Sequence, residues 1–358
     1  MEQSERPVAV FTDHGDLQHF KPYRHRAPSK RGWRPLFALR QAYWLWRRAR
    51  QFRGTAAFVT YGSKTGFALA GLQTLARPWI QPRTHVIFDL LLEHPRRGMA
   101  GVYDRLKMMV FHRSGARAVV WGQSDATDFA CAYGLPGDRF FWHPYHTTLD
   151  EFAYDQRDDG FIFAGGNNGR DYTTLIAALV GIDYPVFIAT TDPRVPPLAR
   201  DLPQVTVRGV SPAEFRRLLA ACTFVIEAHP RDFFRTAGHQ TLLNAMSLGK
   251  PVILADERSA RGYIDNGVEG LVVPAGDVAR LHRAIKSLLA EPDLRHRMSE
   301  AGQHRLADPI YETAVHMQSI YNLALRWEQA RLGCACPRVQ IECYGPAGES
   351  FAAERGSS

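Results

Sequence analysis

The sequence predicts an α/β protein made of two successive doubly wound parallel-sheet domains facing a central cleft. Three observations carry that prediction. Short apolar runs alternate with amphipathic helical stretches along nearly the whole chain, the pattern of a parallel sheet covered by helices. The alternation is interrupted near 143–159, by His143-Pro144-Tyr145 and a polar run ending at Asp159. A chain of 358 residues is also long enough for two domains with full cores.

In the first half, strands are expected at 8–12, 57–61, 85–90 and 118–121, with helices at 35–50, 64–75, 99–113 and 124–133. Ser124 reads as the N-cap of the last helix and Gly134 as its stop. The second half opens with a strand at 161–164 and a helix at 171–180, then strands at 185–189, 205–207, 224–228, 252–255 and 271–273. Ser211-Pro212-Ala213-Glu214 combines an N-cap, a proline at N1 and a glutamate at N3, which places a helix over 212–221. Helices at 239–248 (stopped by Gly249), 278–289 and 293–305 follow, and 310–327 reads as a long final helix. The expected domains are 1–150, completed by a C-terminal helix at 310–330, and 151–309. Residues 331–358 read as a flexible tail, because Gly, Pro, Ala and Ser dominate from Gly333 onward.

No apolar run reaches the roughly eighteen residues that a membrane-spanning helix needs. The start Met1-Glu2-Gln3-Ser4 lacks the basic and apolar parts of a secretory signal. A cytoplasmic protein is expected. The net charge of +8 is unevenly placed: residues 17–88 hold fourteen Lys and Arg and no Asp or Glu. Trp44 and Trp46 are interleaved with Arg47, Arg48 and Arg50, a combination that suits an anionic membrane surface or an acidic acceptor. The same segment also reads as a solvated Arg-rich helix with core tryptophans. No segment resembles a nucleic-acid module, and nucleic acid is not an expected partner. Cys131 and Cys222 fall in apolar helical segments and read as buried thiols. Cys334, Cys336 and Cys343 lack a fourth ligand for zinc, so no metal site is expected there.

The chemistry concentrates in the second half. Residues 235–253 read as a loop, a glycine at a helix start, one helix, a glycine stop and a strand. Free N–H groups at Gly238, His239 and Gln240 form an anion site at the helix terminus, and Gly238 lets a diphosphate approach the backbone. Asn244 lies further along the helix, where it can meet a ribose hydroxyl. Upstream, Gly165-Gly166-Asn167-Asn168-Gly169-Arg170 links a strand to a helix, and the Arg170 fork suits phosphate oxygens. Glu227 ends the strand 224–228 and reads as a sugar-hydroxyl contact or a solvated loop acid. Asp89 ends the strand at 85–90 and is the candidate general base, with the alternative that it merely caps a loop. Asp13 and His14 are further contenders.

Ala245-Met246-Ser247-Leu248-Gly249-Lys250-Pro251-Val252-Ile253 resembles the donor-binding helix of family 4-like glycosyltransferases of the GT-B fold, which pair two Rossmann-like domains. The family's Glu-x7-Glu pair is replaced by Thr236 and Asn244. The resemblance covers about 160–305. It implies transfer of a sugar from a nucleotide-sugar co-substrate, without metal, and assigns Gly165, Gly166, Asn168, Arg170, Glu227, Gly238, His239, Gln240 and Asn244 to the donor. With the basic segment, the expected reaction uses a UDP-sugar and a lipid-linked or polysaccharide acceptor at the inner membrane face. The alternatives are a non-catalytic nucleotide- or membrane-binding scaffold and a sugar-nucleotide epimerase or phosphorylase of the same fold.

Overall fold

A computed structural model describes residues 8–13, 24–26, 34–149, 154 and 157–333. His14 and the cysteines Cys334, Cys336 and Cys343 lie outside them. The chain divides into two compact units, one built from residues up to Trp121, Asp125–His143 and Met317 onward, the other from Gly122–Ser124 and Pro144–His316.

The first unit holds strands β1 (Val8–Thr12), β2 (Arg24–Arg26), β3 (Thr55–Tyr61), β4 (His85–Phe88), β5 (Arg117–Val120) and β6 (Phe140–Trp142). They form one sheet in the order β2-β1-β3-β4-β5-β6, every pair parallel. Helices α1 (Arg34–Gln51), α2 (Ser63–Ala76), α3 (Gly98–Ser114) and α4 (Gln123–Tyr133) connect successive strands. Six of the seven β3 residues are buried, as expected of a strand covered on both faces. Ala42, Leu45 and Ala49 recur at helical spacing along α1 and pack on Ala9, Phe11, Ala56 and Phe58.

The second unit holds β7 (Ile162–Gly165), α5 (Tyr172–Ala178), β8 (Val186–Ala189), α6 (Val195–Leu198), β9 (Val205–Arg208), α7 (Pro212–Ala221), β10 (Phe224–Ala228), α8 (His239–Ser247), β11 (Val252–Ala255), α9 (Glu257–Ala260), β12 (Gly270–Val272), α10 (Val278–Ala290) and α11 (Pro292–Leu306). Its parallel sheet runs β12-β11-β10-β7-β8-β9. Side chains alternate between two cores: Ile162, Ala164, Phe224 and Ile226 join one, Phe163 and Val225 the other. That two-residue period marks a sheet with a core on each face. Strand order reverses between β7 and β10, and ligands of such sheets bind beyond the carboxyl ends at that reversal. Helix α12 (Thr313–Arg331) closes the described chain and, from Met317, belongs to the first unit.

Several expectations change in detail. Helix α4 starts at Gln123, so Ser124 lies inside it and is not its cap. Gly134 does stop it, at φ 62° with its N–H on the Cys131 carbonyl. Ser211 caps α7 by accepting the Glu214 N–H, but the Glu214 carboxylate turns to Arg208 and leaves the reciprocal half of the box unmade. Cys131 is exposed, not buried. Cys222 is buried, and burial pushes its thiol up to about 12. Trp44 and Trp46 are half-buried against the core of the first unit, with the Arg48 and Arg50 guanidiniums over their rings at 5.6 and 4.8 Å. They are core side chains. The exposed apolar groups of α1 are Leu36, Leu39 and Tyr43.

Candidate functional site

At the reversal point of the second sheet, the ends of β7, β10 and β11 bring four ionisable side chains together. Arg170, in the loop after β7, donates Nε–H to the Gly165 carbonyl at 2.9 Å and Nη2–H to Glu227 Oε1 at 3.3 Å. Its Nη1 stands 2.9 Å from His229 Nε2, and His229 Nδ1 stands 3.1 Å from Asp256 Oδ2. A guanidinium only donates, so His229 accepts at Nε2 and gives its Nδ1–H to Asp256. Burial opposes ionisation of Asp256, but hydrogen bonds from His229, the Ser259 hydroxyl and the Arg258 N–H outweigh it and hold the carboxyl below its usual range.

Glu227 and His229 are fully buried, and the Arg170 side chain is only 8% exposed. Glu227 is therefore not a solvated loop acid: Arg170 balances its charge, and its Oε2 has no hydrogen-bond partner among the described residues. Arg170 is the hub of this network, not a free cation.

Gly238 sits directly against the network. It has φ 85°, and a Cβ there would overlap the Glu227 carboxylate and crowd His229. Glycine is thus required at the start of α8 by the packing of Glu227 as well as by backbone geometry. The first amides of α8 have no intrahelical acceptor, and these are the groups on which the sequence reading places an anion. His239 is buried and stacked on Tyr263 at 4.4 Å; burial, then the neighbouring His229, lowers its pKa to about 3. It is neutral near pH 7. Gly166 has φ 123° and lies beside the Arg170 guanidinium, where a side chain would intrude. Gly165 is buried at the end of β7, and Asn168 Oδ1 accepts from Arg235 Nη2 at 3.1 Å.

Gln240 lies in the first turn of α8 as expected, and the side chains of Asn244 and Gln240 both engage Thr148. Asn244 accepts the Thr148 N–H at 2.9 Å and donates to the Thr148 hydroxyl at 2.9 Å. Gln240 donates to the same hydroxyl at 3.0 Å. Both pin the segment that enters the second unit, and Asn244 is not poised for a ribose in this arrangement. Thr236 is buried. Sequence reasoning missed Arg235, Asp256 and Ser259. The last two were detectable, since Asp256 follows the strand 252–255 with Ser259 three residues on, the pattern of a capped turn.

In the first unit, the reversal falls between β1 and β3. Asp13 follows β1 and accepts the Tyr61 N–H at 2.8 Å; burial raises its pKa, against hydrogen bonds from Tyr61 and Thr65. Asp89 follows β4 at φ 58°, in the left-handed region. Its Oδ1 accepts from the Trp121 indole at 2.8 Å. Arg47, Arg48 and Arg50 are exposed on α1. Among the described residues, no helix is long and apolar enough to cross a membrane.

The family model for glycosyl transferases group 1 matches residues 238–305, from the glycine that opens α8 through α11. No curated protein matches the chain. Among solved structures, sucrose-phosphate synthase (tll1590) from Thermosynechococcus elongatus is similar, with a TM-score of 0.63 at 16% identity over 89% of each chain. Anabaena Alr3699/HepE in complex with UDP-glucose gives a TM-score of 0.59 at 14% identity, over 91% of this chain and 99% of that one. WaaG, a glycosyltransferase involved in lipopolysaccharide biosynthesis, gives 0.51 at 16% identity over 90% of each. These likenesses establish the fold as GT-B, and α8 to α11 as a glycosyl transferases group 1 segment.

Proposed function

We propose that this GT-B chain is a glycosyltransferase that moves a sugar from a UDP-sugar to a lipid-linked or polysaccharide acceptor at the cytoplasmic face of a membrane. One observation carries the reading. Gly238 opens α8 against the buried Arg170–Glu227–His229 network, at the reversal point of the second sheet and at the start of the matched segment. The amide end of α8 takes the donor diphosphate and stabilises it as it leaves. Arg170 supports it by fixing the loop after β7. The similar structures include one in complex with UDP-glucose, which favours a uridine donor. In this reading the helix amides meet the leaving charge without a metal.

The acceptor side rests on the first unit. Met99, Val102, Tyr103, Leu106 and Met109 form an exposed apolar stripe along α3, and Arg97 and Arg105 stand beside it. With the exposed arginines of α1, this favours peripheral binding to an anionic bilayer. A second reading, a nucleotide-binding scaffold without catalysis, is favoured by Thr236 in place of a glutamate and by the engagement of Asn244 with Thr148. Turnover separates the two. UDP-, GDP- and ADP-sugars are offered in calorimetry and in a nucleotide-release assay, with and without a chelator. Expected are binding and release with a UDP-sugar, unaffected by the chelator. Binding without release selects the scaffold, and no binding of any nucleotide sinks both.

A further inference from the structure

The first sheet carries a basic pocket at its amino edge. At the amino ends of β4, β5 and β6, where α2, α3 and α12 terminate, a pocket of about 890 Å³ is lined by Arg77, Arg83, Arg113, Arg117, Arg139 and Arg331. Some of these cations are spent locally. Arg77 donates to the Arg113 carbonyl at the end of α3, Arg83 to the Gly54 carbonyl, and Arg331 pairs with Glu328. Arg117 and Arg139 are engaged less fully. The Arg117 guanidinium lies over the Trp327 ring at 4.4 Å, and its Nε has no hydrogen-bond partner among the described residues. Arg139 Nε likewise has none among them, and its ion pair with Asp138 is long, at 3.9 Å. Arg113 stands exposed at the rim.

Guanidinium groups gathered around one concavity suit a planar or tetrahedral oxyanion. Helix C-termini explain Arg77, but they do not explain Arg113, Arg117 and Arg139, which line the same pocket without a close carboxylate among the described residues. We propose that this pocket binds a phosphate-bearing ligand through Arg113, Arg117 and Arg139, at the edge of the sheet opposite Asp13 and Asp89. Its size admits a diphosphate with an attached group, and Trp327 supplies an apolar wall. The site does not depend on the transferase reading.

Calorimetric titration of the full chain with sodium pyrophosphate tests it, using wild type, Arg117→Gln/Arg139→Gln and Arg170→Gln. Expected is saturable binding that survives Arg170→Gln and weakens by about tenfold or more in the double variant, with an unchanged thermal midpoint. If the double variant does not fold, Arg113→Gln at the exposed rim takes its place, with a loss of about threefold expected. Flotation with phosphatidylglycerol vesicles identifies the source. Weaker flotation of the pocket variant assigns a phospholipid headgroup. Unchanged flotation with lost pyrophosphate binding assigns a soluble phosphoanion. Pyrophosphate binding and flotation that both ignore the pocket arginines overturn the proposal.

Discussion

Asp89 holds a backbone conformation that costs a non-glycine residue about 1 kcal/mol, and such strain gathers at functional sites. The Trp121 indole takes one carboxylate oxygen, while the other has no hydrogen-bond partner among the described residues. That arrangement suits a base with a fixed orientation and one free oxygen. Asp89→Asn keeps the Trp121 hydrogen bond and removes the base; a loss in kcat of about 100-fold or more is expected, with KM little changed, and a near-wild-type rate would return Asp89 to a loop-capping role. His85 makes a prediction about stability. It is fully buried beside the Thr60 hydroxyl, and burial lowers its pKa to about 3 from 6.5. In the unfolded chain it binds a proton below about 6.5 that the folded chain refuses, so stability falls as pH falls through that window. At pH 5 the one group costs about 2 kcal/mol. Urea midpoints at pH 7 and pH 5 should converge in His85→Gln relative to wild type; an unchanged pH slope would show that other groups set it.

At the scale of elements, legibility followed burial and length. The long segments α1 and α10 and the buried strands β10 and β11 were readable because their apolar spacing is set by the cores they face. Strands β2 and β6 and helices α6 and α9 were not, since three or four residues show no period and Arg24–Arg26 has no apolar residue at all. The glycine that opens α8 was legible in the sequence. The buried network was not, because Arg170, His229 and Asp256 come from three separate strand ends and only the sheet order joins them. Helix α7 was placed correctly by its cap, and the Ser211 hydroxyl does accept the Glu214 N–H at 3.2 Å. With the reciprocal bond replaced by the exposed Arg208 pair, most of the cap rests on that hydroxyl. Ser211→Ala should cost about 1 kcal/mol, read as a lower urea midpoint at constant slope. A Glu214→Gln loss as large as that of Ser211→Ala would mean that the surface ion pair, not the cap, holds the turn.

For the molecule as a whole, the charge imbalance becomes a surface property. The fourteen basic residues without an acid between 17 and 88 include the exposed arginines of α1, while α1 and α3 both leave apolar side chains in solvent. Trp44 and Trp46 are half-buried against the core, so the proposed membrane affinity draws on the exposed arginines and on exposed residues such as Leu39, Met99 and Leu106. Each basic residue near an anionic bilayer contributes about 1 kcal/mol. Removing three in Arg47→Gln/Arg48→Gln/Arg50→Gln should therefore weaken flotation with phosphatidylglycerol liposomes by about 100-fold. Salt should mimic the substitution, since a Debye length of roughly 3 Å at 1 M screens exposed charges. Leu106→Gln should weaken flotation at low salt without altering its salt dependence, because it removes apolar insertion and leaves every charge in place. If the triple arginine variant floats like wild type while Leu106→Gln does not, the bilayer is held by the apolar face of α3 alone, and the basic segment serves another anion.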